Sequence, residues 1–254
     1  MVRNPLKKVL YNYTSHQRVS SSLTFEVPRL KALRLNQPTL FAELSNLAAM
    51  APWGWAKTQT NRRAVMARIA EFLFETMLLK RVRRTGYQFL GPGKESVAEH
   101  TFGVMCIAWT LARMVPEADE GRLLAMCLVH DLPEARMGDL NSVQKKYVSA
   151  NEKLAVNHMT RDLPFGSALS ALIDEFNACE TCEARLAHDA DQLAFLLDLK
   201  SLSDMGYASP DRWIGHVKAR LQTAGGKNLS ESILNTEWDA WWMKLFIDSD
   251  MKGK

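Results

Sequence analysis

The sequence predicts an all-α fold, a helical bundle, on three observations. From Met66 onward apolar residues recur at three- and four-residue spacings, no alternating segment of strand length occurs, and Gly and Pro punctuate the break between the first two periodic stretches. The first helix, MARIAEFLFETMLLKRV, places Ile69, Phe72, Leu73, Met77 and Leu78 on one stripe. The loop RRTGYQFLGPGKE follows, with Gly86, Gly91, Pro92 and Gly93. A second helix starts at Ser96, a side chain suited to capping, with Glu99 three residues on to complete a capping box. A third, EGRLLAMCLVH, runs up to His130 and Asp131. The next residues, Asp131-Leu-Pro-Glu134, have the layout of another helix start, with an Asp cap, Pro in the first turn and Glu at the third position. Further helices are expected near 150–162, 166–178, 181–205, 209–224 and 228–247, all in one domain, 66–254, with one core and no internal repeat.

Residues 1–65 read differently. They hold ten Lys or Arg against two Glu, a net +8, whereas the remainder holds 22 basic and 26 acidic residues, a net −4. The segment is rich in Ser, Thr and Asn, carries Pro5, Pro28, Pro38 and Pro52, and lacks sustained helical periodicity. It is expected to be a basic, weakly ordered or loosely attached extension that contributes little to the core, with Trp53 and Trp55 of PWGW as its anchors if it has any. Scattered cations make a weak electrostatic footprint, so nucleic acid is not an expected partner. The basic start has no apolar h-region, and no apolar run reaches the ~18 residues of a membrane span. A cytoplasmic, membrane-free protein is the expectation. Its four cysteines (Cys106, Cys127, Cys179, Cys182) then read as reduced thiols, and the CxxC of Cys179 and Cys182 lacks a second pair to complete a zinc site.

The chemistry concentrates in an ordered set: His100 in SVAEH, His130–Asp131 in LVHDLPEARMGD, and Asp191 in AHDADQL. Imidazole nitrogens with carboxylate oxygens make a mixed donor set that suits one divalent ion, Mn, Co, Zn or Fe. Each residue also has an ordinary explanation. His100, beside Val97, Val104 and Ile107, fits a hydrogen-bonded core histidine; Asp131 can cap a helix with Glu134 answering it; Asp191, among Leu193, Phe195, Leu196 and Leu197, can pair with an arginine. A carboxylate on an apolar face is costly unless paired or metal-bound, and a single ion accounts for all of them together. His188, three residues before Asp191 and on its face, is an accessory ligand or phosphate contact by the same reasoning.

The segments KRVRRTGYQFLGPGKESVAEH, LVHDLPEARMGD and ARLAHDADQL resemble the HD-domain superfamily of metal-dependent phosphohydrolases, and within it the small 5′-deoxynucleotidase-like branch. The resemblance covers about residues 66–205, with the C-terminal helices belonging as well. It implies a bundle built around a single metal site and hydrolysis of nucleoside 5′-monophosphates, deoxynucleotides foremost, with a dNTP triphosphohydrolase or alarmone hydrolase as the alternative. By the same resemblance His100, His130, Asp131 and Asp191 are the protein ligands, Glu134 orients or deprotonates the attacking water, Asp139 sits near the leaving oxygen or the sugar, and Arg84 holds the phosphate. The metal lowers the pKa of water and polarises the phosphoryl oxygen. The resemblance also implies a homodimer, for which Trp238, Trp241, Trp242, Leu245 and Phe246 are candidate contacts unless they close the monomer's own core. It departs at Thr85: some bacterial 5′-deoxynucleotidases carry there a tryptophan that helps exclude a ribose 2′-hydroxyl, so sugar selectivity is left open. For a triphosphate substrate, Lys80, Arg81 and Arg83 are the cations whose orientation decides.

Overall fold

The computed structural model describes residues 59–251, so residues 1–58, with most of the basic extension and its PWGW segment, lie outside the described residues. Eleven α-helices occur among those described: α1 (Gln59–Met77), α2 (Tyr87–Leu90), α3 (Val97–Met114), α4 (Glu120–Val129), α5 (Glu134–Met137), α6 (Glu152–Thr160), α7 (Gly166–Ala178), α8 (Cys182–Asp204), α9 (Asp211–Arg220), α10 (Ala224–Leu234) and α11 (Ala240–Met251). The chain is all-α, as the periodicity predicts; the sole β feature among the described residues is an isolated antiparallel bridge between Arg83 and Ser96.

The helix expected from Met66 begins at Gln59. Its first turns carry Gln59, Asn61, Arg62 and Arg63, and residues 61–64 are exposed, so they show no apolar periodicity to read. The stretch 228–247 is two helices, not one, parted where the amide of Trp238 donates to the Asp204 carboxylate at 3.0 Å. Within the predicted α1 stripe, Phe72 is buried while Leu73 and Met77 remain about half exposed. These two help line an apolar groove of about 620 Å³ with Phe102 and Leu128. The C-terminal apolar residues do not close the core either: Trp241 and Leu245 are exposed, and Trp242, partly buried, packs edge to face on Phe246.

Helix α8 is the centre of the bundle, packing against α3, α4, α7, α9 and α10. Leu186, Leu193, Leu196 and Leu199 on it are fully buried, and Ala184, Ala187 and Ala190 allow close approach by its neighbours. Buried beside them is the carboxylate of Asp189. Its Oδ1 accepts from the amide of Gln222 at 2.7 Å, and its Oδ2 accepts from the amide and hydroxyl of Thr223 at 2.9 and 2.6 Å. Thr223 caps α10, so the anion lies at that helix's positive end. Residue 226 must be glycine here, because a Cβ would fall 2.2 Å from Asp189 Oδ2.

Two local devices aim the elements that carry the site. The strand-like segment 82–84 runs against 95–97, with the amide of Arg84 on the Glu95 carbonyl and the amide of Val97 on the Val82 carbonyl, both at 2.9 Å. The expected capping box forms at Ser96 and Glu99, which fixes the start of α3 and places His100 one turn inside it. A forked ion pair between Arg136 and Glu75 ties the short α5 to α1.

Candidate active site

His100 (α3) and Asp191 (α8) meet across the bundle, with Nε2 at 2.8 Å from Oδ1. His130, which closes α4, joins them: donor atoms of His100, His130 and Asp191 lie within 4.8 Å of one another. The helix ends at this point, and the backbone break lets the neighbouring Asp131 turn to the same place, its Oδ2 at 3.2 Å from His130 Nε2. On an unbroken helix adjacent side chains would diverge by about 100°. Asp131 does not cap α5, which has no side-chain cap, and only its backbone carbonyl receives the Glu134 amide, at 3.0 Å.

The chemistry of this set fits a divalent ion. His130 Nδ1 donates to the Cys127 carbonyl at 2.8 Å, which leaves Nε2 bare on the side of the cluster. Both His130 Nε2 and Asp131 Oδ2 are buried without a hydrogen-bond partner, although they are close neighbours. A buried imidazole nitrogen 3.2 Å from a buried carboxylate oxygen has to hold either a proton or a cation between them, and a divalent ion suits the pair. His100 is oriented from behind by Glu95, whose Oε2 lies 3.6 Å from Nδ1.

Without metal the cluster holds protons instead. Burial pulls the His100 imidazolium down, but the hydrogen bond to Asp191 and the nearby Glu95 carboxylate outweigh this and take its pKa up to about 9. Burial likewise opposes the charged form of Asp191, yet His100 and Arg84 hold it well below the usual carboxylate range. Metal must therefore displace a proton. We expect titration of Mn²⁺ or Zn²⁺ into chelator-treated protein to release a proton near neutral pH and apparent affinity to fall about tenfold per unit of pH below 9. Calorimetry in buffers of different ionisation enthalpy measures this, and uptake with no proton release would rule it out. The sign for stability is opposite: the raised His100 pKa stabilises the metal-free protein fully below about 6.5, and that contribution fades as pH rises through about 9.

Around the cluster opens a cavity of about 630 Å³. Arg84 lines it and approaches Asp131 Oδ2 to 3.7 Å. Burial weakens its charge, but Asp191, Asp131, Asp139 and Glu134 more than compensate, so the guanidinium stays a cation. Glu134 also lines the cavity, with a buried Oε2 that has no partner. Burial, and then the charges of Asp131 and Asp139, push its carboxyl up to about 9. Asp139 lines the same cavity, and its Oδ2 accepts from the amide and hydroxyl of Thr85, the latter at 3.0 Å, so it pins the Arg84 loop. Thr85 is thereby turned to Asp139. His188 lines the cavity but stands outside the three-residue cluster, its Nε2 donating to the Phe176 carbonyl at 2.8 Å and its ring stacked on Phe176. A second cavity of about 580 Å³ shares His130, Asp131 and Glu134 with the first.

Several wall residues escape sequence reasoning. Tyr87, Phe195 and Trp213 form a row, edge to face at 6.3 and 6.2 Å between centroids. Tyr87 is held by donation to Asp198 and by Gly93, where a Cβ would press on its ring at 2.9 Å. Lys145, Arg212 and Arg220 line the cavity, whereas Lys80, Arg81 and Arg83 do not. Gln192 donates to Asp191 Oδ2 at 2.7 Å. The i, i+3, i+4, i+7 run of His188, Asp191, Gln192 and Phe195 was the available signal for α8; nothing local marks Arg212, Trp213 and Arg220 on α9.

Comparison with known proteins bears on this geometry. A protein of Xenopus laevis named 5′-deoxynucleotidase HDDC2 is 30% identical over 125 residues, 47% of this chain and 61% of that protein, so the match spans less than two thirds of that relative. Its human namesake is 26% identical over 176 residues, 65% of this chain and 81% of the human protein. Among solved structures, the PH0347 protein from Pyrococcus horikoshii OT3 superposes with a TM-score of 0.56 at 26% identity, covering 65% of this chain and 98% of that one. A predicted metal-dependent phosphohydrolase from Magnetospirillum magnetotacticum MS-1 gives 0.52 at 24% identity, over 67% and 94%, a likeness of fold alone. The sequence profile of the family described as HD domain matches residues 76–231, more than half of the chain and all of the cluster. With His100, His130–Asp131 and Asp191 inside that match, this chain belongs to the HD-domain family.

Proposed function

We propose that this chain is a metal-dependent phosphohydrolase that removes phosphate from nucleoside 5′-monophosphates, deoxynucleotides among them. The observation that carries the reading is the His/Asp cluster with Arg84 beside it, on the floor of a cavity whose wall is a row of three aromatic rings. His100, His130, Asp131 and Asp191 would hold one divalent ion, Mn, Co, Zn or Fe. When bound, that ion supplies Lewis acidity to a phosphoryl oxygen and to water and draws down the raised pKa of Glu134. Arg84 offers its planar fork to the phosphoryl oxygens and balances their charge. Glu134 takes a proton from the attacking water as its oxygen bonds to phosphorus, and returns that proton to the 5′-oxygen as the P–O bond breaks. Asp139 acts by holding Thr85, and so Arg84, in place. The aromatic row suits a stacked nucleobase. The relatives named 5′-deoxynucleotidase support this substrate class.

A dNTP triphosphohydrolase is the second reading, favoured by the rim cations Lys145, Arg212 and Arg220. The two separate by product: a panel of mono- and triphosphates, each assayed for phosphate against pyrophosphate or triphosphate release with several divalent metals. Triphosphate release would replace the first reading by the second, and no release from any nucleotide would reject both. Residues 66–254 would carry this activity, in the cytoplasm, without the basic extension.

Self-association belongs to the same proposal. The open groove at Leu73, Met77, Phe102 and Leu128 and the exposed side chains of Trp241 and Leu245 leave more apolar surface than a monomer needs. The expected result from light scattering at micromolar concentration is about twice the chain mass of 28.7 kDa. A monomeric mass would reject the dimer.

A further inference from the structure

The residue that the chemistry so far leaves idle is Asn141. It lines the main cavity, is 8% exposed, and follows Asp139 by two positions. Its side-chain oxygen is spent: Oδ1 accepts from the amides of Val143 and Gln144, at 3.1 and 2.9 Å. In return the Gln144 side chain accepts from the Asn141 amide at 3.0 Å. This reciprocal pair has the pattern of a capping box and closes the turn that leads into the 3₁₀ helix Gln144–Lys146, whose own N-cap, Val143, makes no side-chain bond. Two backbone donors on one oxygen settle which end of the amide is which, so the assignment of Oδ1 and Nδ2 is not free to flip. The NH₂ group is left over, and Nδ2 is buried with no hydrogen-bond partner.

The cap does not explain that NH₂. Asp or Ser would cap this turn as well as Asn does, using only an acceptor. An orphaned buried donor costs free energy that a carboxylate or hydroxyl at the same place would avoid. Among the described residues the other unpartnered buried side-chain atoms belong to His100, His130, Asp131 and Glu134, all at the reaction centre. Asn141 is thus in the company of groups that await a ligand, and unlike the two carboxyl groups among them it cannot become an anion. What it lacks is an acceptor.

We infer that Asn141 is a substrate-contacting residue whose Nδ2 donates to an acceptor oxygen of the sugar-phosphate. This rests on the nucleotide reading of the site. The same backbone that pins Asp139 to Thr85, and so sets Arg84, carries Asn141 two residues later. The phosphate fork and the amide therefore approach the substrate as one rigid loop. The acceptor is either a phosphoryl oxygen or a sugar oxygen, and the two differ in which product they hold.

The test is Asn141→Ser, which keeps an acceptor oxygen for the amides of Val143 and Gln144, removes the Nδ2 donor and adds no charge to repel phosphate. Thermal unfolding should be unchanged, because the loop keeps both amide contacts. With dAMP as substrate, kcat/KM should fall by about 10- to 100-fold, the range of a hydrogen bond to a charged or buried acceptor. Equilibrium binding of inorganic phosphate and of deoxyadenosine, measured separately on wild type and variant, locates the acceptor. Weaker phosphate binding assigns it to the phosphoryl group, and weaker nucleoside binding to the sugar; either supports the inference. If both ligands bind the variant as they bind the wild type and kcat/KM is unchanged, Asn141 is only a cap. A wild type that binds the two ligands but turns over no nucleotide overturns the proposed function, while the binding comparison still decides for Asn141.

Discussion

Replacing Glu134 by Gln is expected to lower turnover by about 10²–10⁴-fold, the usual contribution of a general acid–base group, while metal content and melting temperature stay as they are. The side chain has an oxygen with no hydrogen-bond partner, lies on the wall shared by both cavities, and belongs to none of the three residues whose donor atoms converge. Gln keeps its size and loses only the capacity to take a proton. Substrate binding should persist, because Arg84 is untouched. Asp131→Asn makes the contrast: it replaces an oxygen 3.2 Å from His130 Nε2, so bound metal should fall and added metal should partly restore activity. Turnover and metal stoichiometry measured on both variants decide. If Glu134→Gln works at near the wild-type rate, the carboxylate has no part in proton transfer; if Asp131→Asn keeps its metal, Asp131 is not a ligand.

The largest expected effect on stability lies two residues from the site and has nothing to do with chemistry. Asp189→Asn should cost about 2–4 kcal/mol and, in a domain of this size, lower Tm by roughly 5–15 °C. The native carboxylate receives three donors and sits at the positive end of α10. An amide must turn its NH₂ toward at least one of those donors, and it gives up the charge that favours the helix end. Metal content and kcat of the folded fraction should be unaffected, since every partner of Asp189 is in the 222–223 turn. An unchanged melting temperature would mean that water, not Asp189, satisfies that turn.

These two aspartates show how far the sequence could be read. Asp191 was legible because a lone carboxylate among Leu193, Phe195 and Leu196 demands a partner, and a histidine-aspartate pair waited upstream. Asp189 stood in the same segment and was passed over, for its partners arrive from residues 222–223, more than thirty positions away. Helices with apolar periodicity were legible; the exposed turns of α1 before Met66 were not. Asp131 offered both a capping and a ligating role; the backbone path at the end of α4 takes its side chain away from the cap and toward His130. Asp139 was marked by resemblance alone; its place on the cavity wall and its hydrogen bonds to Thr85 depend on how the segment after α5 lies against the Arg84 loop. Trp213, Arg212 and Arg220 reach the cavity through the way α9 lies against α8, a tertiary fact that local spacing does not encode.

Two positions along a helix is about 200° of rotation, so Asp189 and Asp191 look out on nearly opposite sides of α8. One holds the α10 end of the bundle and the other faces His100. An insertion or deletion of a single residue within α8, upstream of this pair, would turn both by about 100° relative to the residues before it, and no compensating change at one site could rescue the other. Lineages carrying this segment can trade side chains around it, but they cannot change its length and keep either half. The helix is a gauge whose two marks are read at once, one by the turn that starts α10 and one by the His/Asp cluster.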